Sequence, residues 1–241
     1  MHPTQPIYRL YTSLPIDPQA GLGGKLLYAG EIDFEGRNLL YAANIAGAAS
    51  LAASADVVAL RHAMRDGVID FFVNSLEEAL RILKNEIRKH QTVSVGVAAD
   101  PASLVDQMLD RGVLPDLIPA STRLSLAHLK SFVSQGAHQI GEASFPPEIS
   151  FVTWQVDRDF ARSLPRLDEL AKTVLPAEDH LRHRWLKLAP RYLGRLAQRQ
   201  HGVAMTEDEF MKFEAEVREL VTRTGSEAAA IPTVSKEKVE F

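Results

Sequence analysis

Three carboxylates crowd one short stretch of the chain: Glu31, Asp33 and Glu35 within GEIDFEGRN, Gly30 to Asn38. Carboxylates so spaced can hold a divalent cation, grip a cationic ligand or move protons. The competing reading is a solvated acidic turn in which Gly36 and Asn38 lead into a helix. A second set is basic. His183, Lys187, Arg191, Arg195 and Arg199 recur every fourth residue, which on a helix draws one slightly drifting stripe for an anion or an acidic partner, such as the acidic loop of a second subunit. Against it stands the solvated face of an amphipathic helix whose other side is Leu181, Trp185, Leu188, Tyr192 and Leu196. Pro190 is expected to kink or divide that helix. His180 and His183 have i,i+3 spacing beside Glu178 and Asp179, but no third-ligand motif accompanies them, so no metal site is assigned. Gly21, Gly23 and Gly24 precede the first strand, whereas phosphate loops follow one, so they read as a hinge. The chain contains no cysteine, which excludes thiolate nucleophiles, disulfides and sulfur-ligated zinc. No G-x-S-x-G, Walker or H-E-x-x-H motif is present.

These groups need elements to position them. KLLYAG (Lys25 to Gly30), SLAAS (Ser50 to Ser54), IDFFVN (Ile69 to Asn74), TVSVGVAA (Thr92 to Ala99) and DLIP (Asp116 to Pro119) read as strands. Helices alternate with them: Arg37 to Ala49, a helix through Arg65 capped by Asp56, a helix through His90 opened by the Ser75/Glu78 capping box, and one from Pro101 to Asp110 capped by Asp100. Strand–helix alternation at this spacing means βαβ units, and apolar strands mean a parallel sheet covered on both faces. The fold class expected is α/β, a Rossmann-like three-layer parallel sheet with a C-terminal helical extension. Residues 1–24, rich in proline, are expected as an extended N-terminal arm. Residues 25–156 form the Rossmann-like domain, with Pro146 to Val156 as its last strand. Residues 157–223 form the helical region, and 224–241 a flexible tail.

Bulk properties narrow the partners. Net charge is −4 and the pI is near 6.1, so no global field recruits nucleic acid or anionic membrane. The N-terminal stretch lacks a cationic segment followed by an apolar core, so no secretory leader is expected. The longest apolar run, around Ala42 to Ala53, is too short and polar to span a bilayer. A cytoplasmic homo-oligomer with a small-molecule ligand, and with no nucleic-acid or membrane partner, is the expectation.

Several runs resemble the central domain of the urocanase (urocanate hydratase) family. LEEAL (Leu76 to Leu80) is similar to that family's LDEAL, SVGVAAD (Ser94 to Asp100) to SVGLVGNAAE, RGVLPDLI (Arg111 to Ile118) to RGV.PDIV, and AANIAGA (Ala42 to Ala48) to AATMAGA. Between Gly96 and Gly112 the patterns need no gap. The resemblance covers well under half of the chain. It implies a Rossmann-like fold that binds NAD, whose nicotinamide serves as an electrophile toward an imidazole substrate. Gly30, Gly36, Arg37 and Thr122 are the positions it would assign to the cofactor.

The other cofactor positions depart from the family pattern. Its glycine-rich phosphate loop, GLGGMGGAQP, corresponds to GEIDFEGRN, where three carboxylates intrude on a diphosphate site. Its ribose-binding acid falls on Ser54. Its Asn-Ala falls on Asp100 and Pro101, and of its DQTSAH run only Thr122 matches among Ala120 to Ser125. The expected function is a urocanase-related protein that binds a small polar ligand at the strand ends and lacks the standard NAD site and urocanate hydratase activity. Two alternatives stay open: a hydratase or lyase with an altered site using Glu31, Asp33 and Glu35, and a homo-oligomeric structural or interaction protein.

Overall fold

The structure, a computed structural model, describes residues 2–119, 124–141, 148–224 and 232–238. The chain divides into two compact units, Arg9–Ala143 and a discontinuous one made of Met1–Tyr8 with Ser144–Phe241. The division falls inside helix α1 (Gln5–Ser13).

The continuous unit runs β1 (Leu26–Glu31), α2 (Phe34–Ala46), β2 (Ala49–Ala53), α3 (Val57–Arg65), β3 (Phe71–Val73), α4 (Leu76–Arg88), β4 (Val93–Val97), α5 (Pro101–Asp110), β5 (Leu117–Ile118), α6 (Leu126–Ser134) and β6 (His138–Gln139). The strands form one parallel sheet in the order β3-β4-β2-β1-β5-β6. This is the expected Rossmann-like α/β architecture. Local chemistry sets its helix starts. Asp56, Ser75, Asp100 and Ser125 each accept a hydrogen bond from an amide in the first turn of the helix that follows, supplying a partner that the helix itself cannot.

Side chains alternate across the strands and build two apolar layers. On one face Tyr28, Leu51, Val95 and Val97 bury against Leu76 and Leu83 of α4, Leu104 and Met108 of α5, and Phe132 of α6. The other face packs on α2 and α3 and is lined in its β2–β4 centre by the small pairs Ser50/Ser94 and Ala52/Gly96. A Cβ on Gly96 would come within 2.7 Å of Leu60 and 2.9 Å of Ile69. Asn44 of α2 reaches the sheet here, accepting from Ser94 Oγ and donating to the Val68 carbonyl at 3.3 Å. The GLGG segment is packed as well as turned: Leu22 is buried, its amide donates to Ala46 O, and a Cβ on Gly24, where φ is +84°, would lie 2.9 Å from His90 Nδ1.

The discontinuous unit centres on a three-stranded antiparallel sheet, β8-β7-β9, of β7 (Ser150–Gln155), β8 (Gln200–Met205) and β9 (Thr233–Lys238). Three helices accompany it: α7 (Leu164–Val174), α8 (His180–Leu193) and α9 (Glu207–Thr224). Trp154 packs on Phe213 at 5.0 Å between ring centres, and Tyr8 meets Trp185 edge-on at 4.9 Å. Asp168, buried on α7, accepts from Trp154 Nε1 at 3.0 Å and lies 2.8 Å from His201 Nδ1. Pro190 sits inside α8 and offers no amide to the Leu186 carbonyl one turn back. A cavity of about 10 Å³, room for one water, opens where Leu186, Pro190, Asp168 and His201 meet.

Four expectations need correction. Residues 1–24 contain helix α1, which proline permits because Pro6 lies in its first turn, where no intrahelical partner for the amide exists. The strand expected to end the Rossmann-like domain at residue 156 pairs with β8 and β9 instead, because its outward backbone is matched in antiparallel register from Ser150 to Gln155. The 157–223 region holds the expected helices but also β8, whose GVAM end is buried. Part of the expected loose tail is β9, in register with all of β7.

Candidate functional site

In the parallel sheet, β1 connects through α2 to β2 on one side, while β5 lies on its other side. Strand order therefore reverses between β1 and β5, and open α/β sheets bind ligands outside the carboxyl ends of the strands at such a point. The expected site residues of the first loop stand here. β1 carries a register shift between Tyr28 and Gly30, and Gly30 has φ +81°, a left-handed conformation that favours glycine. The chain then turns through exposed Glu31 and buried Ile32, whose amide donates to Ala53 O.

Asp33 is the residue on which the local geometry hinges. It is the N-cap of α2, and its carboxylate accepts from the Gly36 amide at 2.9 Å. Helix α2 begins at Phe34, three residues before the start expected from periodicity. Asp33 and Glu35 thus bracket the first turn, where acidic groups meet the positive end of the helix dipole. Arg37 is turned to the far end of α3: its guanidinium pairs with Asp66 at 2.6 Å. Among the described residues, no three His, Asp or Glu side chains converge as metal ligands, either at this loop or around His180 and His183. Thr122 lies outside the described residues.

The neighbouring strand ends repeat the pattern. Ser54, at the end of β2, is buried and accepts from the Asp56 amide, and Asp56 in turn caps α3 through the Val58 amide at 2.7 Å. Asp100 caps α5, accepting from the Ser103 amide at 2.9 Å, a bond that holds its carboxyl below the usual range. Phe34, Val57, Val58 and Leu126 open α2, α3 and α6 on this same edge with exposed side chains, Phe34 at 72%. Charge patterning does not single out this apolar rim.

The basic stripe belongs to the other unit. Lys187 and Arg191 are exposed on α8, Arg195 on the 3₁₀ turn Gly194–Ala197, and Arg199 just before β8. His183 is only half-exposed, and its Nε2 stands 3.0 Å from Pro176 O. The expected apolar side is shifted: Trp185, Leu186, Ala189 and Leu193 are the buried residues of α8, while Leu181, Leu188 and Tyr192 are half-buried. Arg182, which sequence spacing did not single out, joins Asp179 and Glu209 at 2.6 Å each, its NH1 also donating to Ala204 O. Among the described residues no helix is long and apolar enough to cross a membrane.

The strand order, the capped helices at the switch point and the small-residue layer under α2 all belong to one segment of sequence. Residues 23–137 match the family model described as the urocanase Rossmann-like domain, so this segment of the chain is similar to that domain.

Proposed function

We propose that this chain is a urocanase-related binding protein whose β1/β5 edge takes a small polar ligand and does not hold a dinucleotide. The observation that carries the reading is the Asp33–Gly36 hydrogen bond. A Rossmann site offers the free amides of its first helix to a pyrophosphate. In this chain a carboxylate fixed in the polypeptide takes that place, and Arg37 is engaged by Asp66.

Magnitudes favour exclusion. A helix terminus contributes about 0.3–1 kcal/mol toward an anion at an exposed site. One carboxylate about 4 Å from a phosphate opposes it by about 1 kcal/mol in water and about 4 kcal/mol near a protein surface. Glu31 and Glu35 add to the same side of the balance. The residues present therefore do not fit a pyrophosphate. The edge suits instead a ligand with hydrogen-bond donors or positive charge, beside an apolar group that Phe34 can cover.

Native mass spectrometry of untreated protein, followed by calorimetric titration with NAD, tests the reading. Mass matching the bare chain and no NAD heat are expected. Stoichiometric NAD carried through purification would sink it.

A further inference from the structure

Several surface cations of this protein are matched within their own helices. On α4, Arg81 pairs with Glu77 and Lys89 with Glu86; on α7, Lys172 with Glu169; on α9, Arg218 with Glu214 and Arg223 with Glu219. Each acid lies three or four residues before its base, the favourable order on a helix. Helix α8 and its continuation have no acids to supply such pairs. From His180 to Thr206 the sequence has no Asp or Glu, but it has Arg182, Arg184, Lys187, Arg191, Arg195 and Arg199. Among the described residues, Lys187, Arg191, Arg195 and Arg199 form no ion pair, and all four are exposed. The dipole at the end of α8 favours Arg191. It does nothing for Lys187 one turn earlier or for Arg199 beyond the helix, and every like-charged i,i+4 step opposes the helix that carries it.

We propose that this row is a docking surface for an acidic protein segment. Spacing, side-chain type and surroundings agree. Lys187 and Arg191, the two cations of the row on α8, stand about 6 Å apart along its axis. Carboxylates at i,i+4 on an acidic helix repeat at that distance, and alternate residues of an extended acidic strand nearly so, at about 6.8 Å. Three of the four cations are arginine, whose planar fork takes a carboxylate in two parallel hydrogen bonds. A nucleic acid fits less well. The chain as a whole is negative, which repels a polyphosphate over a longer range than a short acidic segment feels. The aromatic ring beside the row, Tyr192, is half-buried and covered by the Arg191 guanidinium at 5.4 Å, so it offers no open face for a base.

The test uses the full chain and a fluorescein-labelled 16-residue peptide of alternating Glu and Ala, followed by anisotropy. Saturable binding that weakens with added salt is expected. The double variant Arg191→Glu/Arg195→Glu should bind about tenfold more weakly or worse, while Lys212→Glu on α9 should bind as the parent does. Circular dichroism checks that the double variant is folded; if it is not, Arg195→Ala/Arg199→Ala, which lies outside α8, replaces it with the same expected direction. Absence of saturable binding, binding indifferent to these changes, or tighter binding of a 16-nucleotide oligothymidylate at the same residues would overturn the proposal.

Discussion

The Asp33 carboxylate stands 2.9 Å from the Gly36 amide and closes the N-terminus of α2 at the point where strand order reverses. Removing the side chain as Asp33→Ala should cost about 1 kcal/mol of stability, read as a lower urea midpoint with unchanged slope. Asp33→Asn keeps an oxygen for the cap and should stay near the parent. The two variants therefore separate the cap from the charge. If Ala and Asn are equally damaging, the cap is not what Asp33 contributes.

Asp168 and His201 form a buried contact, with Trp154 donating to the same carboxylate. Both His201 nitrogens face oxygen, the carboxylate at Nδ1 and Ala197 O at Nε2. His201→Ala leaves a buried carboxylate short of one hydrogen-bond partner and should cost about 1.5–3 kcal/mol. In a Trp185→Phe background, Trp154 emission reports the same change. A loss below about 1 kcal/mol would mean that the pair is dispensable.

The Arg182–Glu209 bridge ties α8 to the capping box of α9, where Glu209 also accepts from the Thr206 amide at 2.9 Å. Burial resists the charge on Glu209, but hydrogen bonds from Arg182 and Thr206 outweigh it and hold the carboxyl below its usual range. Arg182 is pushed up, burial again being outweighed by its bonds to Glu209 and Asp179. A lowered carboxyl stabilises the fold above its unfolded value, about 4.3, and that contribution is lost as pH falls through the folded value. Glu209→Gln should therefore be less stable than the parent at pH 7 and lose less on acidification below about pH 4.3. Parallel acid limbs in the two proteins would contradict this.

Gly202 sits opposite Thr153 in the β7–β8 ladder, and a Cβ there would lie 2.8 Å from both the Val152 carbonyl and Thr153 Cγ2. The backbone cannot yield as a side-chain tip can, and Gly202 O also accepts from Trp185 Nε1 at 2.7 Å. Gly202→Ala should cost about 1–3 kcal/mol by overpacking. Gly112→Ala, with nothing within 4 Å of the new Cβ but φ of +63°, should cost about 1 kcal/mol through backbone strain alone. Thermal melts of both decide the ranking.

The parallel sheet was legible because its signals are local. Apolar runs, the Ser75/Glu78 pair and the Asp100-Pro101 step each state their own element within a few residues, and the structure has them there. β6 escaped notice because His138 and Gln139 are exposed and carry no apolar pattern. β9 escaped because TVSKEK is polar and half-exposed, and becomes a strand only through β7, some 80 residues earlier, as the Thr153–Ser235 hydroxyl contact illustrates. The acidic loop was found by composition, but its geometry was not. Asp33 as a cap depends on where α2 begins, and the pairing of Arg37 with Asp66 spans 29 residues. Long-range partners of this kind leave no periodicity to read.

One unit of this protein is interrupted by the other. Met1–Tyr8 and Ser144–Phe241 share a body, and the His2 amide donates to Glu237 at 2.9 Å, across 235 residues of chain. On the ribosome the Rossmann-like unit is complete in sequence once residue 143 has emerged, whereas Tyr8 must wait for Phe151 and Trp185, and His2 for Glu237. Folding is thus ordered in time by the direction of synthesis, the inner unit first. The Tyr8 ring, destined for Phe151 and Trp185, spends the whole of translation up to those residues without them.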